Sequence, residues 1–214
     1  MKKKYIIFDF DGTLVNTNDL IVESWQATFE RYLGHRLDED EIIATFGEIL
    51  VETIARLIPD EDVIEVRNFY SVYQDEYCRS KVRVFDGVRE LLDELRTQGC
   101  RIGMATSRTG ETYRKYMEEL GLADCIDETV VLEDVSAHKP DPESALRVME
   151  KLGAVPAETI FIGDTKYDAG CAKAAGIDCG LAGWSHKIDN EQLEREGCMP
   201  QYIFDRPEDI LELV

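Results

Sequence analysis

The chain has 214 residues, roughly 1.4 typical domain lengths, which suits one large domain or one domain with a small insert. Asp and Glu number 44 against 24 Lys and Arg, and the resulting charge of −20 excludes general nucleic-acid binding, which needs a basic face for the phosphate backbone. At 44% hydrophobic and 32% charged residues the composition excludes a disordered or membrane-embedded chain and predicts a packed, soluble core. The six cysteines form no C-x-x-C pair and are dispersed over a chain too large to depend on disulfides, so reduced thiols and a cytoplasmic location are expected. Met1-Lys2-Lys3-Lys4 starts like a signal peptide, but Asp9 and Asp11 interrupt the apolar run that follows.

In chain order, residues 5–10 form the first short apolar run and read as a buried strand that ends in Asp9-Phe10-Asp11-Gly12. Alternation along a strand would point Asp9 and Asp11 the same way. Two like charges that close need a cation, a proton or another partner, and Mg²⁺ favours carboxylate oxygens; a turn cap with Gly12 is the competing explanation. Residues 17–80 then carry helical patterns and no convincing strand. Ile21, Trp25, Thr28 and Tyr32 share a face, Asp38 and Glu41 make a capping box ahead of Ile42, Ile43 and Phe46, and Gly47 breaks that helix. Val63, Val66, Tyr70, Tyr73 and Tyr77 form a stripe read as core packing. This stretch is therefore an inserted helical domain.

Beyond it the rhythm becomes helix, strand, helix, strand. Apolar faces at Val88, Leu91, Leu92 and Leu95, at Tyr113, Tyr116, Met117 and Leu120, and at Ala145, Val148, Met149 and Leu152 mark three helices, stopped by Gly99, Gly121 and Gly153. The third is expected to start with Asp141 as N-cap and Pro142 at its first position. Strands are predicted at 101–106, 129–132, Thr159–Gly163, 179–182 and Tyr202–Phe204. Strands alternating with helices predict a parallel α/β sheet of the Rossmann-like kind.

In such a sheet the carboxyl ends of neighbouring strands meet at one crevice, which can bring together Asp9, Asp11 and Asp164 and make a Mg²⁺ site. Asp168 falls in the first turn of the next helix, where it serves either the same site or the helix N-terminus. Thr106 ends a strand and can offer phosphate a hydroxyl and adjacent N–H groups, and Lys139 can neutralise charge developed in phosphoryl transfer; a plain turn residue and a solvated loop lysine are the alternatives. Ser107 and Arg108 could extend the anion site, although a loop Arg ahead of a helix is commonly structural. Lys166 and His138 are candidates of the same kind with surface and loop roles as alternatives.

Taken together, D-F-D-G-T-L, a strand-terminal Thr, K-P-D-P-E and G-D-T-K-Y-D resemble the four motifs of the haloacid dehalogenase-like superfamily of phosphohydrolases, over essentially the whole chain. The resemblance implies a core of residues 1–15 and 82–214 with an all-helical cap at 16–81, opening over the crevice. It implies Asp9 as nucleophile forming an aspartyl-phosphate, and Asp11 as general acid and then base, with its backbone carbonyl on Mg²⁺. Thr106 would hold the phosphoryl group, Lys139 would stabilise its charge, and Asp9 and Asp164 would ligate the metal, with Asp168 acting directly or through water. The pattern is similar to the phosphoglycolate phosphatase and bacterial pyrophosphatase branch; Gly47 of the cap and Arg108 are candidate substrate contacts. The expected partner is a small phosphorylated metabolite or pyrophosphate, with no nucleic acid and no membrane, and the expected assembly a monomer or homodimer. A sugar-phosphate mutase of the β-phosphoglucomutase type is the enzymatic alternative, and a non-catalytic interaction or regulatory module the other.

Overall fold

The computed structural model describes residues 2–214, apart from the side chain of Cys78. Six strands, β1 (Tyr5–Phe8), β4 (Arg101–Ala105), β5 (Glu128–Val130), β6 (Thr159–Gly163), β7 (Asp178–Ala182) and β8 (Tyr202–Phe204), form one sheet in the order β5-β4-β1-β6-β7-β8. Every pairing is parallel. The short strands β2 (Val15–Asn16) and β3 (Arg83–Val84) make a separate two-stranded sheet. From β1 the chain builds outward to β4 and β5 and then returns to lay β6, β7 and β8 on the other side. The reversal beside β1 is where a doubly wound sheet leaves its ligand crevice.

Central position explains composition. Ile6, Ile7 and Phe8 of β1 and all five residues of β6 are buried, as continuous apolar runs in a sheet covered on both faces must be. One face packs against α7 (Glu143–Leu152), α8 (Lys166–Ala175) and α9 (Asn190–Glu196), where Ile7, Val148, Phe161, Ala172 and Leu193 share a cluster. Helices α5 (Val88–Thr97) and α6 (Gly110–Glu119) complete the set. The apolar face of α5 is buried at Val88, Leu91, Leu92 and Leu95. Strand β5, expected at 129–132, starts one residue earlier and ends two residues earlier, and α7 begins at Glu143, with the Asp141 carboxylate accepting the Glu143 N–H at 2.9 Å.

The chain divides into two compact units, Met1–Val15 with Val84–Val214, and Asn16–Arg83. The second contains α1 (Asn18–Leu33), α2 (Glu39–Ile43), α3 (Leu50–Leu57) and α4 (Val63–Tyr73) around Trp25, Phe29, Ile42, Ile54, Val66 and Tyr70. Glu41 accepts the Asp38 backbone N–H at 3.1 Å, closing the expected capping box. The Tyr stripe needs a correction. Val66 and Tyr70 are core, but a π-helical turn at Gln74–Cys78 shifts the helical phase and leaves Tyr77 64% exposed, its ring tilted against that of Tyr73. Among the described residues no helix is long and apolar enough to cross a membrane.

Candidate active site

Three strand ends and one loop bring the chemistry together in the sheet unit. Asp9 follows β1 and Asp164 follows β6, and the register pairs Phe8 with Ile162, so the two acids leave adjacent strands one residue apart in level. With Asp168 of the first turn of α8 they form a group whose carboxylate oxygens lie within 4.8 Å of one another, all buried. Lys139 enters from the loop before α7, with Nζ 2.6 Å from Asp168 Oδ1 and 3.1 Å from Asp9 Oδ1. Gly170 of α8 makes room for that loop, since a Cβ there would stand 2.7 Å from the Pro140 ring.

The electrostatics follow from burial. Desolvation pushes Asp9 well above the usual carboxylate range, and repulsion from Asp168, Asp164 and Asp11 adds to this; Lys139 opposes the shift without cancelling it. Burial likewise raises Asp164, against the pull of His186. For Lys139 burial acts downward, but Asp168 and Asp9 outweigh it, so the ammonium is held charged. One cation thus faces three carboxylates.

Both oxygens of Asp168 are already engaged. Oδ1 accepts from Lys139, and Oδ2 accepts the Thr165 hydroxyl at 2.7 Å and the backbone N–H groups of Thr165 and Asp164 at 3.0 and 3.2 Å. The helix-capping role open for this residue in the sequence is therefore realised, together with a grip on Lys139. By contrast, Oδ1 of Asp164 is buried and accepts no hydrogen bond from the described residues, and the buried Oδ1 of Asp9 meets the Lys139 ammonium at 3.1 Å without an aligned hydrogen bond. Two hard oxygen donors with unused lone pairs and excess negative charge fit a divalent cation such as Mg²⁺.

Asp11 behaves differently from the strand-alternation expectation. Because β1 stops at Phe8, Asp11 lies in the following turn, and its carboxylate faces Arg108 rather than joining the acidic group. Arg108 Nε donates to both oxygens at 3.0 and 2.8 Å and an Nη to Oδ1 at 2.7 Å. The guanidinium is itself held over the rings of Tyr116 and Phe10, at 4.8 and 5.4 Å from their centroids. Thr106 is buried at the end of β4, its hydroxyl accepting the Arg108 N–H at 3.1 Å, and Ser107 stands beside it, half-buried. Lys166 is turned away, pairing with Glu196 at 3.0 Å. Gly47 lies in the helical unit at a positive φ of 83°, and Arg56 there pairs with Glu48.

Gly12 is required twice over. Its φ is +69°, and a Cβ would overlap the Asp164 carboxylate. Gly12→Ala is expected to displace the Asp164 carboxylate and lower turnover by about 100-fold, the scale of a ~1 Å misplacement, which steady-state assay of the folded variant checks.

The sequence reading missed the loop after β7. Trp184 Nε1 donates to the Thr13 carbonyl at 3.0 Å, Ser185 Oγ donates to Asp164 Oδ2 at 3.2 Å, and His186 Nε2 stands 3.2 Å from the same oxygen. The available signal was a Ser-His pair separated by two residues from the strand predicted at 179–182.

The chain is similar to known proteins over its whole length. The Halalkalibacterium halodurans protein named pyrophosphatase PpaX is 33% identical over 214 residues, covering all of this chain and 98% of that one. Among solved structures, a Lactobacillus plantarum protein assigned as a phosphoglycolate phosphatase superposes with a TM-score of 0.85 at 25% identity over 100% of both chains. A Thermotoga maritima protein assigned as a β-phosphoglucomutase gives 0.77 at 25% identity, over 98% of this chain and 97% of that one. Residues 6–182 match the family described as haloacid dehalogenase-like hydrolase, and the chain belongs to that family.

Proposed function

We propose that this enzyme is a Mg²⁺-dependent phosphohydrolase that cleaves pyrophosphate or a small phosphate monoester through a phosphorylated Asp9. The observation that carries the reading is the buried group of Asp9, Asp164, Asp168 and Lys139, in which one lysine faces three carboxylates and Asp164 Oδ1 accepts no hydrogen bond from the described residues. Asp9 and Asp164 would hold the metal, which when bound lowers the charge repelling an anionic substrate and favours the ionised form of Asp9.

The chain's own groups account for the rest. An Asp9 carboxylate oxygen attacks phosphorus as the bond from phosphorus to the leaving oxygen breaks, and Lys139 offsets the charge gathered on the phosphoryl oxygens. Thr106 and Ser107 line the phosphoryl position. Water then attacks phosphorus, giving up its proton to Asp11, and the P–O bond to Asp9 breaks to release inorganic phosphate. Arg108 pairs with Asp11 through both carboxylate oxygens, which fixes the position of that carboxylate for the base step. The similarity to a protein named pyrophosphatase favours an anhydride, whose leaving phosphate asks for less proton donation than an alcohol.

The test is phosphate release from pyrophosphate, phosphoglycolate and p-nitrophenyl phosphate, with Mg²⁺ and with chelator. The expected result is Mg²⁺-dependent release with pyrophosphate cleaved fastest. Absence of release from every substrate would overturn the reading, and isomerisation of a sugar phosphate without net release would replace it with a mutase.

A further inference from the structure

The loop that follows β7 converges on the site by three separate side chains, yet none of the four sequence motifs includes it. Its attachment to the turn after β1 is tight: besides the bond from Trp184 to Thr13, Ser185 Oγ would lie 2.9 Å from a Cβ at Gly12. Ser185 and His186 both address Oδ2 of Asp164, at 3.2 Å each. The other oxygen, Oδ1, is buried and accepts no hydrogen bond. A carboxylate held at one oxygen cannot rotate about its terminal torsion without breaking those contacts, so the two oxygens become inequivalent.

We propose that Ser185 and His186 are positioning residues for Asp164, holding Oδ2 so that Oδ1 is the oxygen presented to the divalent cation. The proposal rests on the reading of Asp9 and Asp164 as cation ligands, and it assigns the loop after β7 a part in metal affinity. The burial of Asp164, whose side chain is 2% exposed beside a His186 that is 15% exposed, keeps water from substituting fully for the two partners. His186 Nδ1 lies 3.2 Å from the Lys187 carbonyl, which fixes the ring plane from its other edge.

The experiment is direct titration of the substrate-free full chain with Mn²⁺, following the electron paramagnetic resonance signal of the unbound ion. Wild type is compared with Ser185→Ala, His186→Ala, the double variant, His186→Gln and Asp164→Asn. Loss of the partners of a metal-ligating carboxylate should weaken binding by about 10- to 100-fold in the double variant, less in each single variant, with circular dichroism unchanged. His186→Gln retains an N–H donor and should recover most of the His186→Ala loss, which a general packing defect would not. Wild-type Mn²⁺ affinity in the double variant alongside lost binding in Asp164→Asn would overturn the positioning role. Wild-type affinity in Asp164→Asn would instead overturn the metal reading, and the positioning role with it.

Discussion

Asp9→Asn is expected to abolish phosphate release, by at least about 10⁴-fold, while raising the melting temperature near pH 7. The loss follows because the amide cannot form the P–O bond. The gain in stability follows because Asp9 is buried and its acid is held well above the usual range, so ionising it costs more in the folded protein than in the unfolded chain. The sign can be checked directly. A carboxylate whose folded pKa is raised lowers stability at pH above its unfolded value, and that loss is relieved as pH falls toward that value. The stability difference between Asp9→Asn and wild type should therefore shrink from pH 8 to pH 4, read as melting temperature without divalent cation. A variant that melts lower than wild type at pH 8 would contradict the electrostatic account even if it were inactive.

Lys139→Met should have the opposite effect on stability and a comparable effect on rate. Removing one partner from a buried charge group costs on the order of 3–5 kcal/mol, because Asp168 and Asp9 are left without their cation. Turnover should fall by about 10³-fold or more as the charge of the phosphoryl group goes unopposed. The raised pKa of Lys139 means its stabilisation is complete throughout the neutral range, so the wild-type contribution does not vary between pH 5 and 9. In the variant the raised acids of Asp9 and Asp164 lose a nearby positive charge that favours their ionised forms, and stability should therefore recover toward acid pH. Urea denaturation of both proteins at pH 5 and pH 8 measures this. An equal loss at the two pH values would mean that Lys139 acts by packing alone.

Which parts of this arrangement could be read from the sequence is set by the range of the interactions. Strand ends are local features, so the runs before Asp9, Thr106 and Asp164 were legible as apolar segments closed by polar residues, and one edge of a parallel sheet then gathers them. The pairing of Asp11 with Arg108 was not legible, because it joins residues 97 apart in the chain and depends on β1 ending at Phe8, two residues before the apolar run does. The loop of Trp184, Ser185 and His186 escaped for a similar reason. Its relevance depends on β7 lying beside β6, and no spacing rule within the loop announces that. Tyr77 was misplaced because a heptad count assumes uninterrupted α-helix, whereas one π-helical turn rotates everything beyond it. Asp168 was ambiguous for a different reason: its two candidate roles draw on the same position, and its carboxylate has two oxygens with which to meet them.

The central claim is that phosphorus becomes covalently attached to Asp9. An acyl phosphate is reduced by borohydride to the alcohol, so quenching turnover of pyrophosphate with borohydride should convert the trapped side chain at position 9 to homoserine, which peptide mass spectrometry identifies. The prediction is homoserine at position 9 and nowhere else, dependent on Mg²⁺ and absent from Asp9→Asn. Full turnover with an unmodified Asp9 peptide, or modification at Asp11 or Asp164 instead, would contradict it.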